Sequence, residues 1–261
     1  MIISAGEVHL WFAYDDTIKD AQLLVQYLSV LNEAERAQQQ RFHFEKHRHQ
    51  YLITRALARS VLSMYVKNIV PEQWEFEKND YGKPFISNSA LTIPIRFNLS
   101  HADELIVMAV TLDQEVGVDV EYLPRAGKML DIASSFFSPA EVQQLLSLPL
   151  EKQMNRFYDL WTLKEAYIKA CGMGLSIPLD HFSYSFSPQG KITIDFKPER
   201  NDQPEFWRFW QIQPNAIHKI SLALKSENLN NTFSISMREV IPLSRVIDVN
   251  YSLASGSIIS E

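Results

Sequence analysis

Residues 116–122 read Val-Gly-Val-Asp-Val-Glu-Tyr, with valine at every second position up to residue 120. Successive side chains of a strand point to opposite faces, so the three valines are expected to enter a core. The opposite face carries Gly117, Asp119 and Glu121. Two rises of about 3.3 Å place the two carboxylate-bearing residues roughly 6–7 Å apart along the strand. Such a face can hold Mg²⁺, which takes one or two carboxylates; the alternative is an edge strand with an acidic solvent face.

Other elements flank this strand on both sides. Two strands precede it, at Ile95–Leu99 and Glu104–Leu112, and a polar turn at His101-Ala102-Asp103 joins them. Apolar residues at helical spacing predict one long helix over His47–Tyr65 and another over about Met154–Ala170. Helices and antiparallel strands therefore occur on both sides of residues 116–122.

The order of elements repeats along the chain. A hairpin turn at Tyr81-Gly82-Lys83-Pro84 has a counterpart at Pro188-Gln189-Gly190-Lys191, and the two lysines are 108 positions apart. A strand pair at Phe206–Ile212 and Lys219–Leu224 follows the second hairpin, as another pair follows the first. We therefore predict an α+β fold of two similar halves, each a helix packed on a small antiparallel sheet, with the active site in the cleft between them. Chance similarity between β-hairpins is the alternative.

This repeat gives the predicted division of the chain. Residues 1–115 form an N-terminal α/β half, and residues 116–243 form a C-terminal α/β half that carries the acidic strand. Residues 244–261 are rich in Ser and Ile without a clear period, which indicates a loosely held tail. Within the second half, Ser138-Pro139-Ala140-Glu141 predicts the start of a helix with a capping box.

Composition excludes several classes of protein. The 261 residues are 46% hydrophobic, and 25 basic against 31 acidic residues give a net charge of −6, which disfavours a nucleic-acid partner. The single cysteine, Cys171, cannot form an internal disulfide, and this fits a reducing compartment. Apolar runs such as Leu105–Val110 are too short to span a bilayer, and the N-terminus lacks a basic region typical of signal peptides. We expect a cytoplasmic protein that binds no membrane.

The second candidate for chemistry lies on the predicted helix around Trp161-Thr162-Leu163-Lys164-Glu165. Glu165 lies on the same stripe as Phe157, Trp161 and Ile168, so a carboxylate interrupts an apolar face. A carboxylate there needs a cation, a metal or a proton. Lys169, one turn further on, offers a simpler alternative as an i, i+4 ion pair.

The third candidate is Phe97-Asn98-Leu99-Ser100-His101 at a strand end. A hydroxyl next to an imidazole suits phosphate binding or proton transfer. A serine nucleophile is disfavoured because no Gly-x-Ser-x-Gly elbow surrounds Ser100. A purely structural turn is the alternative.

Taken together and in this order, the three motifs closely resemble the signatures of 4'-phosphopantetheinyl transferases. The length and the repeat resemble the monomeric surfactin-synthetase-activating (Sfp) type rather than the short trimeric holo-acyl-carrier-protein synthases. The resemblance covers roughly residues 40–225. It implies an enzyme that moves the phosphopantetheine arm of coenzyme A to a serine of an apo acyl or peptidyl carrier protein and releases 3',5'-ADP.

The resemblance also implies roles for individual residues. Asp119, Glu121 and Glu165 would bind Mg²⁺ or Mn²⁺, with Glu165, directly or through water, as the candidate base. Ser100 and His101 match residues that hold phosphate groups. Lys169, a catalytic candidate together with His101, matches a lysine that contacts the diphosphate, and Lys164 has a less certain role. Lys83 could reach the adenine or a phosphate, and Arg48 and Arg55 could clamp the 3'-phosphate. A solvated turn is the alternative for Lys83, and a solvated helix face is the alternative for the two arginines.

The implied partner is an acidic carrier domain, and apolar residues between Pro124 and Leu148 (Ile132, Phe136, Phe137 and Leu145) are the expected docking surface. A non-catalytic coenzyme A or nucleotide-binding module of the same fold is the alternative function, and a metal-dependent phosphohydrolase ranks last. The pathway served is left open.

Overall fold

Two β-sheets of five and four strands form the framework of the protein in a computed structural model that describes residues 1–89, 91–124, 129–228 and 232–256. In chain order the strands are β1 (Glu7–Ala13), β2 (Phe76–Lys78), β3 (Pro84–Ile86), β4 (Ile95–Ala102), β5 (Leu105–Leu112), β6 (Val116–Tyr122), β7 (Phe182–Phe186), β8 (Ile192–Phe196), β9 (Trp207–Asn215), β10 (His218–Lys225), β11 (Ser234–Ile241), β12 (Arg245–Val249) and β13 (Ser252–Gly256). The α-helices are α1 (Ala21–Val30), α2 (Glu33–Arg41), α3 (Glu45–Tyr65), α4 (Met129–Phe136), α5 (Pro139–Ser147) and α6 (Leu150–Cys171).

The two halves repeat the same arrangement of elements. The strand order β12-β11-β1-β5-β4 of the first sheet contains β1, β5 and β4 as neighbours, and the order β13-β9-β10-β6 of the second contains β6, β10 and β9 in the equivalent places. A long helix and a separate hairpin follow the first strand of each half: α3 with β2–β3, and α6 with β7–β8. The predicted α+β fold of two similar halves is therefore confirmed.

Local sequence explains where the main helices begin and end. Ser138 Oγ accepts a hydrogen bond from the backbone N–H of Glu141, and the Ser138 backbone N–H donates to Glu141 Oε2 in return, so the predicted capping box starts α5. Helix α6 ends at Gly172, whose φ of 68° is the left-handed conformation that terminates helices and that glycine adopts at little cost. Helix α3 buries the predicted apolar stripe against the first sheet, in a cluster that includes Ile53, Leu57 and Val61.

The two sheets meet where the edge strand β4 lies beside the edge strand β6. Side chains rather than a backbone ladder bridge these strands: Asn98 Oδ1 accepts from the Val118 N–H at 2.9 Å, and Ser100 Oγ accepts from the Val120 N–H at 3.3 Å. The valines of β6 are buried in the core between the sheets, as the alternation predicts. We call this contact between β4 and β6 the seam.

Two expectations about local structure were wrong. Strand β4 continues through Ala102, so His101 lies in the strand and the turn falls at Asp103 and Glu104, where Glu104 has a φ of 70°. The expected loose tail instead contains β12, paired with β11, and β13, paired with β9; residues 257–261 lie outside the described part of the chain. The backbone hydrogen bonds of these pairings hold a segment whose sequence has no clear period.

The predicted division at residues 115/116 and 243/244 stays a prediction. Among the described residues, the parallel β1–β11 pairing crosses the boundary at 115/116, and the β11–β12 and β9–β13 pairings cross the boundary at 243/244. In the described part of the chain, no helix is both long enough and apolar enough to cross a membrane.

Candidate active site

Gly117 allows α6 to lie directly against β6. A Cβ atom at this position would lie 2.0 Å from the Ala166 carbonyl oxygen and 2.4 Å from the Ala170 backbone nitrogen. Both distances are far below van der Waals contact, and both neighbours are backbone atoms that cannot rotate away. The glycine therefore lets the turn of α6 with Glu165 and Lys169 pack against the polar face of β6.

Asp119 is the centre of a buried polar network at the seam. Lys169 Nζ donates to Asp119 Oδ1 at 2.6 Å and to Ser100 Oγ at 2.7 Å. Ser100 Oγ in turn donates to Asp119 Oδ1 at 3.0 Å. Three predicted site residues, one each from β4, β6 and α6, thus come together as a hydrogen-bonded group.

Glu165 lies near this network, and the charges of the network affect its pKa. Burial raises the pKa of Glu165 to about 7, and the neighbouring negative charges of Asp119 and Glu121 add to the rise, while the Lys169 ammonium opposes it. Glu121 Oε1 accepts a hydrogen bond from Trp161 Nε1 at 3.1 Å. The three predicted metal ligands therefore influence one another electrostatically.

The carboxylate oxygens of Asp119, Glu121 and Glu165 are the atoms that could bind a metal ion here. Asp119 Oδ2 is buried and has no hydrogen-bond partner among the described residues, which is the state of an oxygen available to a cation. Within that same part of the chain, however, no three His, Cys, Asp or Glu side chains are grouped closely enough to form a metal-binding cluster. The assignment of Asp119, Glu121 and Glu165 as ligands stays a prediction, supported by the unpaired oxygen and the concentrated negative charge.

His101 lies at the end of β4, exposed on the strand, and is electrostatically coupled to the seam. The surrounding protein lowers its pKa by desolvation, and the positive charges of Lys169 and His47 lower it further, whereas Asp119 raises it. An imidazole that interacts with both Lys169 and Asp119 can donate to an anion at the seam when it is protonated. Its predicted role as a phosphate contact stays a prediction.

Lys83 lies in the turn between β2 and β3, beside the end of α6. Its Nζ donates to the Ala170 carbonyl oxygen at 2.8 Å and to Glu115 Oε2 at 3.0 Å. Asn79 Nδ2 donates to the Gly172 carbonyl oxygen at 2.7 Å, so the whole turn is attached to the end of α6. Lys83 is therefore not the solvated turn lysine of the alternative interpretation.

A cleft of about 440 Å³ opens beside this turn. Apolar side chains from β3, β4 and the segment between them form part of its wall, and Lys83, Arg96 and Glu115 contribute charged groups. A cleft that combines apolar wall residues with a few charged groups can hold a small molecule that has both an apolar and a charged part. The sequence analysis did not identify Arg96 and Glu115 as site residues. Each lies just before a recognised motif, and its spacing from other polar residues does not indicate a functional role.

Lys164 is not available to a ligand, and its prediction as a coenzyme contact was wrong. Its side chain is 0% exposed and pairs with Glu141 at 2.9 Å. The ammonium also donates to the Leu179 and Phe182 carbonyl oxygens at 2.7 and 2.8 Å. The ammonium group thus has three partners inside the core, and through them Lys164 connects α5, α6 and the start of β7.

Arg55 is paired with a carboxylate, and its role as a phosphate contact stays a prediction. Its side chain is 13% exposed and binds Glu35, with the guanidinium Nε 2.6 Å from Glu35 Oε1. The fully buried Arg59 binds the other carboxylate oxygen, so α2 covers a face of α3 that was interpreted as solvated. Arg48 donates to the Phe42 carbonyl oxygen at 2.9 Å, and its coenzyme role stays a prediction.

Comparison with known proteins supports the motif-based resemblance. Residues 115–225 match the family model of the 4'-phosphopantetheinyl transferase superfamily, and residues 19–113 match the model "4'-phosphopantetheinyl transferase, N-terminal". The 4'-phosphopantetheinyl transferase HetI of Nostoc sp. is 30% identical over 226 residues, which cover 85% of this chain and 90% of HetI. Sfp of Bacillus subtilis is 31% identical over 189 residues, covering 72% and 80% of the two chains. Because these relatives match over most of their length, the chain belongs to the 4'-phosphopantetheinyl transferase superfamily.

Proposed function

We propose that this transferase moves the 4'-phosphopantetheine group of coenzyme A to a serine hydroxyl of an apo acyl or peptidyl carrier protein, with Mg²⁺, and releases 3',5'-ADP. The observation that carries the proposal is the seam itself, where Asp119, Ser100 and Lys169 form one network beside Glu165. We further propose a cytoplasmic monomer, since one chain supplies both sides of the seam.

The transfer requires a base, an electrophile held in place and a stabilised leaving group. The serine oxygen forms a bond to the β-phosphorus of coenzyme A, the bond from that phosphorus to the bridging oxygen breaks, and 3',5'-ADP leaves with the electron pair. Glu165 accepts the serine proton, directly or through a water molecule. A pKa of about 7 suits this role, because a general base is most effective when its pKa is near the working pH.

The remaining polar residues hold the diphosphate. Lys169 has an ammonium group directly at the seam, and its contact with Ser100 supports the proposal that both residues bind the same anion. His101 adds a donor on the same strand as Ser100. Asp119, Glu121 and Glu165 would hold the magnesium ion, which when bound supplies positive charge for the phosphate oxygens and the leaving group.

The nucleotide end of coenzyme A is assigned to the cleft beside Lys83. The apolar wall suits a flat base, and the cations Lys83 and Arg96 suit phosphate groups. We keep Arg48 as a further proposed contact. Lys164 is excluded, because its side chain is fully buried and its charge is paired inside the protein.

The carrier protein is proposed to contact α4 and α5, next to the start of α6. Ile132, Phe136 and Leu146 are 37%, 50% and 54% exposed, which is unusual for apolar side chains on neighbouring helices. Phe137 and Leu145, which the sequence placed on the same surface, are buried in the core of the second half instead. Residues 125–128 of the expected surface lie outside the described part of the chain.

Intact-mass spectrometry of an apo carrier protein tests the proposal directly. After incubation with the enzyme, coenzyme A and Mg²⁺, the carrier should gain the mass of one phosphopantetheinyl group. Glu165→Ala and Asp119→Ala should slow the reaction by at least about 100-fold, the lower end of what general acid–base catalysis contributes. Glu151→Ala, an exposed glutamate of the same helix, is the matched control.

Two results would count against the transferase assignment, and a third would count against the magnesium requirement. Binding of coenzyme A without a mass gain would favour the non-catalytic module, and release of phosphopantetheine without carrier would favour a hydrolase. A full rate in the presence of a chelator would contradict the magnesium requirement.

A further inference from the structure

Glu115 lies between β5 and β6 and binds the two cations of the cleft. Lys83 Nζ lies 3.0 Å from Glu115 Oε2, and Arg96 Nε lies 3.9 Å from Glu115 Oε1. The Lys83 side chain is 17% exposed, while those of Arg96 and Glu115 are about half exposed. One carboxylate therefore neutralises a partly buried lysine and a more accessible arginine at the same place.

The Glu115 carboxylate disfavours the binding of an anion, whereas the other residues of the cleft favour it. Lys83, Arg96 and Glu115 all line the cleft, next to apolar wall residues such as Phe85, Ile86 and Phe97. An apolar wall with two cations suits a ring that carries anionic groups. A carboxylate in the same cleft repels an anion and already occupies the groups that would bind it.

We propose that Glu115 acts as an internal counter-ion that competes with the anionic nucleotide end of coenzyme A for Lys83 and Arg96, and so sets the affinity of the cleft. The inference rests on the proposed function, which places that nucleotide in this cleft. Glu115 has to release the two cations before a phosphate can bind them. The same competition weakens the hold on the product 3',5'-ADP, which keeps the phosphates of the nucleotide end.

The chain offers a matched pair of variants for the test. Glu115→Gln removes the charge that binds Lys83 and keeps the size of the side chain. Asp113→Asn removes one negative charge from the same turn, but Asp113 lines a neighbouring cavity of about 430 Å³ instead of the cleft. Asp113 has a φ of 55°, which asparagine also tolerates, so neither variant is expected to disturb the fold.

Titration calorimetry with coenzyme A and with 3',5'-ADP measures the effect on binding. In low salt, Glu115→Gln should lower both dissociation constants by about threefold to tenfold, as expected for freeing two partly exposed cations. Asp113→Asn should change them less than about twofold. The difference between the variants should shrink in 0.5 M salt, because screening weakens the attraction of the freed cations for phosphate.

A Lys83→Met variant tests whether Glu115 affects binding through Lys83. In a Lys83→Met background, Glu115→Gln should tighten binding by less than about twofold, because the main cation that it frees is absent. A full effect in that background would overturn the proposal, as would equal changes in the Glu115 and Asp113 variants, unchanged binding, or weaker binding. If the wild-type chain does not bind coenzyme A, the proposed function fails together with this inference. Wild-type binding with an unresponsive Glu115→Gln variant overturns this inference alone.

Discussion

Replacing Glu165 with glutamine should make the metal-free protein more stable at pH 8 while changing its stability little at pH 5. The carboxyl group is partly buried near Asp119 and Glu121, and burial together with their charges raises its pKa from 4.5 to about 7. Glutamine has the same shape and resembles the protonated acid. The substitution therefore removes an unfavourable charge without leaving a cavity.

The sign and size of the effect follow from proton linkage. Because the folded-state pKa is the higher one, the protonated carboxyl stabilises the fold fully below pH 4.5, and this stabilisation is lost as the pH rises to about 7. Above pH 7 the wild type has lost all of it. The difference between the two pKa values corresponds to about 3 kcal/mol, an upper bound because part of the side chain reaches solvent.

Urea unfolding of the wild type and Glu165→Gln, in the presence of a chelator, provides the assay. At pH 8 the variant should gain up to about 3 kcal/mol in the free energy of unfolding, and at pH 5 less than about 1 kcal/mol. Glu151→Gln, at an exposed position on the same helix, should show no gain at either pH. Equal stability of Glu165→Gln and wild type at pH 8 would refute the argument, and so would a gain at pH 5 as large as at pH 8.

Three further substitutions test other parts of the structure. Gly117→Ala should cost about 3 kcal/mol or more in urea unfolding and abolish transferase activity, because the new methyl group overlaps the backbone of α6; normal stability would contradict the close contact. Lys164→Met should lower the free energy of unfolding by about 3–5 kcal/mol, since it leaves Glu141 buried and unpaired. Ser138→Ala should cost only about 1 kcal/mol through loss of the α5 cap, with calorimetric melting as the measurement.

Local patterns in the sequence predicted the elements that carry the site. Strand β6 has the predicted bounds, and α6 extends the predicted helix by four residues at its start and one at its end. These predictions succeeded because alternation and helical spacing are properties of a single segment. The duplication was visible for the same reason, since two hairpin turns with a glycine and a lysine can be compared directly.

Predictions failed where the deciding partner is far away in the sequence. The face of α3 around Arg55 was interpreted as solvated, because nothing near it in the sequence indicates that Glu35 packs over it. Lys164 was grouped with the site because it is adjacent to Glu165 in the sequence. Adjacent residues of a helix point in different directions, however, and Lys164 points away from the site and pairs with Glu141. Strands β11 and β13 were missed because their partners, β1 and β9, lie about 230 and about 40 residues earlier. Strand β12 pairs with the adjacent β11 and was missed because its own sequence has no clear period.

The parallel pairing of β1 with β11 has a consequence for synthesis on the ribosome. Strand β1 is translated before its neighbour β11, which follows more than 220 residues later. Until then, one edge of the first sheet has no partner, and such edges are prone to pair with other chains. The nascent chain therefore completes this sheet only after β11 has been translated, and we expect chaperone dependence to concentrate in that interval.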